Sequence, residues 1–265
     1  MNRTLDRADA LSLLQSSGRN ALELEAISRH FGALVALADI NLSVRAGGRH
    51  AVLGSNGAGK TTLFNAITGD FPPTTGRVRL FGEDVTELPP YERIRRGLRR
   101  TYQISLLFHE LSVVDNVYLA CRGVVRNRFA LTRPRRDDAT MESAETLVSA
   151  VHLDAVRDTK VGELSYGQQR QLEIGLALAG APRLILFDEP AAGLSPGERT
   201  ELIEILQSLP SHIAFVIIEH DMDVALRVAE RVSMMHNGRV FKEGTPEEIE
   251  NDAEVQELYL GGAHG

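Results

Sequence analysis

Residues Gly54-Ser55-Asn56-Gly57-Ala58-Gly59-Lys60-Thr61 run as a glycine, four variable positions, then Gly-Lys-Thr. Before them lies Arg49–Leu53, which reads as a short buried strand, and after them a helical stretch from about Lys60 to Gly69. A loop of this kind, between a strand and a helix, commits the chain to an α/β layout. Its glycines let backbone N–H groups turn inward around phosphates, and the helix N-terminus adds unpaired donors and partial positive charge. The Lys60 ammonium reaches the β- and γ-phosphates, and the Thr61 hydroxyl is placed to ligate Mg²⁺. The candidate nucleoside triphosphate cradle is Gly54, Ser55, Asn56, Gly57, Ala58, Gly59, Lys60, Thr61 and Thr62.

The rest of the chain fits that layout. Leu22, Leu24 and Ala26, then Ala38, Ile40, Leu42 and Val44, alternate with polar residues, predicting two half-buried strands of an antiparallel edge sheet. Val78–Phe81 reads as a further strand. The stretch from about Pro90 to Lys160 reads as helical, with Ser112 and Asp115 as an approximate capping box and Ala144, Leu147, Val148 and Val151 on one helix face. Leu184–Phe187 is apolar throughout, as a strand covered on both faces is, and His212–Ile218 reads as another apolar strand. Glu198–Leu209 carries a helical apolar face. Asn237-Gly238 between Arg231–Met235 and Arg239–Lys242 signals a hairpin, and Thr245-Pro246-Glu247-Glu248 is a capping box with Pro at the first helical position. The predicted fold is α/β, a P-loop core with a mostly parallel sheet, an antiparallel β edge subdomain and a helical subdomain at about 90–160. Residues 1–21 form a polar N-terminal extension, expected to be flexible, and 22–265 the domain proper, closing with a hairpin and helices over about 231–262.

Composition excludes several classes. The 265 residues are 43% hydrophobic, enough for a core, yet no apolar run exceeds the six residues of Ala33–Ala38 or Ile213–Ile218. A membrane-spanning helix needs roughly 20. The single cysteine, Cys121, rules out an internal disulfide framework. A net charge of −7 argues against a dedicated nucleic-acid binder.

Leu184-Ile185-Leu186-Phe187 ends in Asp188-Glu189. A buried strand ending in Asp beside such a loop supplies the carboxylate on the Mg²⁺ side. Alternate strand residues face opposite ways, so Glu189 points elsewhere and is the candidate to polarise an attacking water.

Leu164-Ser165-Tyr166-Gly167-Gln168-Gln169, upstream of that strand, resembles the signature motif of ATP-binding-cassette (ABC) ATPases, with Tyr166 where the family's core motif has its first Gly. Ser165, Tyr166, Gly167 and Gln168 open a helix, an anion-binding geometry. In the resembled family this element faces the γ-phosphate held by a partner subunit. Gln103 matches the Q-loop, with a place beside the metal and the reacting water. Ala192-Gly193-Leu194-Ser195 matches the D-loop, His220 the switch histidine, and Phe31 the aromatic that stacks on adenine. The resemblance covers about residues 22–260. Tyr166, Ala191–Pro196, Glu219–Met222 and the ending Tyr259-Leu260-Gly261 are similar to ATPases of branched-chain (hydrophobic) amino-acid importers, and Arg100-Thr101-Tyr102-Gln103 to their LivG-like paralogue. The chain departs from that family at Gly175-Leu176, where Ala-Arg is usual, and a mid-helix Gly costs roughly 1 kcal/mol against Ala.

The resemblance implies ATP and Mg²⁺ as cofactors. It implies a partner ATPase, either a paralogue or a second copy, two integral-membrane permease subunits, and indirectly an extracytoplasmic substrate-binding protein. It places the chain peripherally on the cytoplasmic face of the inner membrane. Catalytic roles fall to Glu189, His220, Lys60 and Gln103, and metal-side roles to Thr61, Gln103 and Asp188. The same engine also serves urea or amide import and lipopolysaccharide export. A soluble ABC ATPase acting on nucleic acid is the alternative of another class, and no nucleic-acid partner is expected. The runs Arg93–Arg100 and Arg122–Arg136 read as solvated basic faces, or as surfaces near anionic lipid or permease loops.

Overall fold

The computed structural model describes residues 20–101, 107–123 and 139–260. Gln103, residues 1–19 and the arginines from Arg126 to Arg136 lie outside them. β1 (Asn20–Phe31), β2 (Leu34–Arg45), β4 (Thr75–Leu80) and β5 (Glu83–Asp84) form an antiparallel sheet in the order β2-β1-β4-β5. β3 (Arg49–Gly54), β6 (Leu98–Arg100), β7 (Leu184–Asp188), β8 (Ala214–Glu219), β9 (Arg231–His236) and β10 (Arg239–Gly244) form the second sheet, ordered β10-β9-β3-β8-β7-β6. Every neighbouring pair in it is parallel except the β9–β10 hairpin.

The central strands are apolar throughout because both faces are covered. Helix α1 (Lys60–Thr68) lies between the sheets. Its Leu63, Phe64 and Ile67 share a core with Leu22, Leu24, Ile40 and Leu42 of one sheet and Val52, Leu186, Val216 and Ile218 of the other. The alternate residues Leu53, Ile185, Phe187, Phe215 and Ile217 face the opposite way. They join a larger core with α3 (Val113–Gly123), α4 (Ala139–Ala150), α5 (Tyr166–Leu178), α6 (Pro196–Ser208) and α7 (Met222–Val228). The short α2 (Pro90–Arg95) precedes β6, and α8 (Pro246–Glu250) and α9 (Ala253–Leu260) close the described chain. The capping boxes at Ser165, Ser195 and Thr245 each stop a loop and start a helix, with both reciprocal bonds present. Gly175, the departure from the resembled family, lies against Val151, whose Cγ2 would be 3.3 Å from an added Cβ.

Three expectations change. The alternation in β1 breaks at Ala26, which has φ 51 and is exposed while Ile27 is buried. In β2, Asp39, whose N–H donates to Ser28 Oγ, has φ 55, and Leu37 rather than Ala38 is fully buried. Asn41 Oδ1 accepts from Ala26 N at 2.9 Å, so a side chain takes over a ladder bond at this irregularity. Leu98–Arg100, within the stretch read as helical, is a strand pairing with β7, too short for its periodicity to register.

The first arginine run is not one solvated face, for Arg95 is exposed while Arg93 and Arg100 are turned inward. Arg93 is 1% exposed and donates to the carbonyls of Ala66, Ile67, Thr86 and Leu88. Two of these belong to the last turn of α1, where a cation also meets the negative end of the helix dipole. Burial lowers the Arg93 pKa to about 10. Gly69, the C-cap of α1 at φ 83, leaves the space this guanidinium fills: an added Cβ would lie 2.7 Å from Arg93 Nε. Arg96 pairs with Glu83 and Glu92, and Arg100 turns inward to the acidic strand end.

Candidate active site

The loop from Gly54 to Lys60 opens α1 without any side-chain cap. Its N-cap is Gly59 at φ 104, and no side chain bonds the first N–H groups. A Cβ at Gly59 would lie 2.8 Å from the Ala36 carbonyl oxygen, so position 59 needs glycine for its conformation and its neighbour alike. The loop is braced from outside by the turn at Asn237 (φ 45) and Gly238 (φ 73). Gly238 N donates to Ala58 O at 3.0 Å, and Ala38 N donates to Gly238 O at 2.8 Å. Three distant segments thus meet in one backbone junction. The hairpin was legible as a turn, but nothing local in Asn237-Gly238 says what it packs against.

A cavity of about 490 Å³ opens over this loop, lined by Asn56 to Thr62, Leu34, Val35, Ala36, Asn237, Gly238 and Glu189. Gly54 and Ser55 serve it through their carbonyls, which accept from Lys60 Nζ at 2.6 and 3.2 Å. Burial pushes the Lys60 ammonium below the ordinary lysine range, against the nearby Glu189, Glu219 and Asp188, which raise it. Phe31 does not line this cavity. It is 43% exposed, meets Phe71 edge-on at 5.5 Å, and carries the Arg29 guanidinium 4.6 Å from its ring centre. The apolar side chains at the cavity from that hairpin are Leu34 and Val35, exposed hydrophobics that the sequence pattern did not single out.

Asp188 and Glu189 do part, but not through strand alternation as expected: β7 ends at Asp188, and Glu189 follows it in a left-handed conformation. Asp188 is 2% exposed; its Oδ2 accepts from Arg100 Nη2 at 2.6 Å, and its Oδ1 is buried without a hydrogen-bond partner among the described residues. Arg100 Nη1 also donates to Asn65 Oδ1 at 2.6 Å and pairs with Asp70, tying the carboxylate to α1. An orphaned, buried carboxylate oxygen suits a hard cation that takes one or two protein oxygens and completes its shell with phosphate and water; Thr61 lines the cavity, whereas Asp188 is not among its lining residues.

Glu189 has φ 48, a strained left-handed conformation for a non-glycine residue, and reaches the cavity. Its Oε2 lies 3.7 Å from Nδ1 of the half-exposed His220. Behind them Glu219 is fully buried, and its carboxylate accepts from Ala191 N at 2.9 Å and His220 N at 3.2 Å. Burial raises its pKa. This carboxyl holds the turns that carry Glu189 and His220, and its support role was not legible from sequence.

The other predicted anion site is elsewhere. Ser165, Tyr166, Gly167 and Gln168 do not line the cavity. Ser165 Oγ accepts from Gln168 N at 3.2 Å, and Gln168 Oε1 accepts from Ser165 N at 3.0 Å. Ser165 and Tyr166 are exposed, and the Tyr166 hydroxyl accepts two bonds from Arg170.

Comparison with known proteins bears on this geometry. The ABC transporter family model matches residues 37–192, and that of the branched-chain amino acid ATP-binding cassette transporter matches 243–265. The chain is 36% identical to the high-affinity branched-chain amino acid transport ATP-binding protein BraF of Pseudomonas aeruginosa, covering 92% of this chain and 99% of that one. It is 33% identical to the corresponding LivG protein of Escherichia coli, over 91% and 98%. Among solved structures, the ADP conformation of MJ1267, an ATP-binding cassette of an ABC transporter, matches with a TM-score of 0.80 at 32% identity, over 91% and 99%.

Proposed function

This chain belongs to the ABC transporter family and is an ATP-binding, ATP-hydrolysing subunit, and from that premise we propose that it powers import of branched-chain or other hydrophobic amino acids. The match of residues 243–265 to the branched-chain amino acid family supports that cargo, as do BraF and LivG. No helix among the described residues is long and apolar enough to cross a membrane, so in this reading the pore comes from two permease subunits. The chain sits peripherally on their cytoplasmic face, and an extracytoplasmic binding protein selects the cargo. The exposed Tyr91, Ile94, Phe108 and Leu119, flanking the segment that holds Gln103, suit contact with a permease.

One observation carries the mechanism: the two phosphate-binding helix ends of this chain do not share a cavity. ATP lies on the Gly54–Thr62 loop, with the open end of α1 and Lys60 meeting its phosphates. The γ-phosphate is capped by the Ser165 end of a second cassette, a paralogue or another copy, so each site is half-built in each chain. Glu189 orients and polarises the water, and His220 steadies the developing charge beside it. Thr61, Asp188 and Gln103 would hold Mg²⁺, which would supply countercharge to the phosphates. Leu34 and Val35, with Phe31 at their edge, take the base. Loss of the γ-phosphate bridge reopens the pair.

The cargo is tested by reconstituting the chain with its permeases and binding protein and measuring ATPase stimulation. Leucine, isoleucine or valine stimulates turnover in this reading. Stimulation by urea alone overturns the cargo, while leaving the ATPase assignment intact.

A further inference from the structure

Glu198 stands on the first turn of α6, where it completes the capping box of Ser195. Its Oε2 accepts from Ser195 N at 2.9 Å and Ser195 Oγ at 2.8 Å. The other oxygen leaves the helix. Oε1 accepts from Gly167 N at 3.2 Å, at the beginning of α5. One carboxylate therefore serves the positive ends of two helices, the signature helix and the helix that follows the D-loop segment. The backbone donors hold the Glu198 carboxyl below the usual range.

The surroundings are shaped for this contact. An added Cβ on Gly167 would lie 2.3 Å from Glu198 Oε1 and 2.6 Å from its Cδ. Gly167 is not among the glycines at positive φ, so a side chain there would displace the Glu198 carboxylate rather than strain the backbone. The neighbouring Tyr166 faces the same segment, for a Cβ on Gly193 would meet its ring at 3.2 Å. One turn along, Gln171 Nε2 donates to Glu201 Oε2 at 2.9 Å, a second stitch between α5 and α6.

We propose that Glu198 is a positioning residue that locks the signature helix to the D-loop segment, so that Ser165 reaches the partner's γ-phosphate in one fixed geometry. This rests on the reading that the Ser165 end of α5 acts on a partner's nucleotide. Without the lock, α5 keeps its own Ser165–Gln168 cap and stays helical, but its end moves independently of Gly193 and Ser195.

The test separates this role from simple capping. Glu198→Asp shortens the side chain by one carbon–carbon bond, about 1.5 Å, so the carboxylate stays near Ser195 and loses Gly167. Ser195→Ala removes a hydroxyl but leaves the Ser195 N–H to hold Glu198. Hydrogen exchange of the full-length chain is followed over peptides covering 164–170, with a fluorescent ATP analogue reporting binding at the chain's own loop. Glu198→Asp speeds exchange at Gly167 about tenfold, as loss of a charge-assisted bond does, and leaves analogue affinity unchanged. Ser195→Ala leaves Gly167 exchange unchanged. In the assembled transporter, Glu198→Asp lowers kcat about tenfold with KM for ATP held. Wild-type exchange at Gly167 in Glu198→Asp overturns the lock, and so does faster exchange with unaltered kcat. Unaltered kcat in Ser165→Ala instead overturns the reading beneath it, with the lock still measurable by exchange.

Discussion

Helices α1 and α5 both begin at a motif to which the proposed function gives a phosphate, and they begin in opposite ways. α1 starts from Gly59 in a left-handed conformation, with no side chain on its first N–H groups. α5 starts from Ser165 with a full capping box, and Glu198 takes Gly167 N in addition. Four N–H groups at a helix start need partners from somewhere. The first helix leaves its share to the ligand, and a cavity forms there. The second satisfies most of its share within the chain and presents a surface rather than a hole. An open end suits a nucleotide held by one chain through the whole cycle. A capped end suits a phosphate met only while two cassettes are closed together.

Substitutions on the two sides sharpen that contrast, beginning with the group that acts where the halves meet. Glu189→Gln keeps the shape and removes the base. Single-turnover assays should show the chemical step slowed by about 10³-fold, with nucleotide affinity intact. Wild-type turnover would remove Glu189 from the mechanism. On the open side, Lys60→Ala should weaken ATP-analogue binding about 100-fold, since a buried cation facing phosphate is lost. On the capped side, Ser165→Ala should leave that binding unchanged and lower kcat about tenfold. Equal binding losses in Lys60→Ala and Ser165→Ala would erase the distinction between the two ends.

The smallest effect at neutral pH concerns neither end. His50 is 2% exposed, bonds Ser233 Oγ at 2.9 Å, and is pushed down by burial to about 4. The unfolded chain protonates His50 near 6.5, so between there and about pH 4 unfolding takes up a proton that the native state refuses. Stability from this residue is full above pH 6.5 and is lost as pH falls toward 4, by about 3 kcal/mol. Denaturant titrations of His50→Gln should match wild type at pH 8 and show a flatter acid limb. An unchanged limb would assign acid sensitivity to other groups.

What the sequence made legible was local. The Gly54–Thr61 loop, the acidic strand end, the helix start at Ser165 and the Asn237-Gly238 turn each announce themselves within a few adjacent residues, and each is where it was expected. What it hid was contact between distant segments. Nothing near Arg100 says that it holds Asp188, and nothing near Arg93 says that it is buried on the carbonyls of α1. The support of the loop by Gly238, and of Gly167 by Glu198, joins residues far apart in the chain. The irregularity at Ala26 escaped because it depends on the Asn41 side chain across the hairpin. Charge patterning misread the first arginine run for the same reason, since exposure is decided by neighbours the linear pattern does not contain.

In the proposed function the ATP-cleaving centre is divided between two cassettes. Its direct measurement is the ATPase rate per chain across a protein concentration series, alone and with the paralogous cassette, for wild type and Ser165→Ala. A divided centre gives a wild-type rate that climbs as cassettes pair and a Ser165→Ala rate that stays depressed at equal nucleotide occupancy. A flat rate in dilute monomer, indifferent to Ser165, would contradict it.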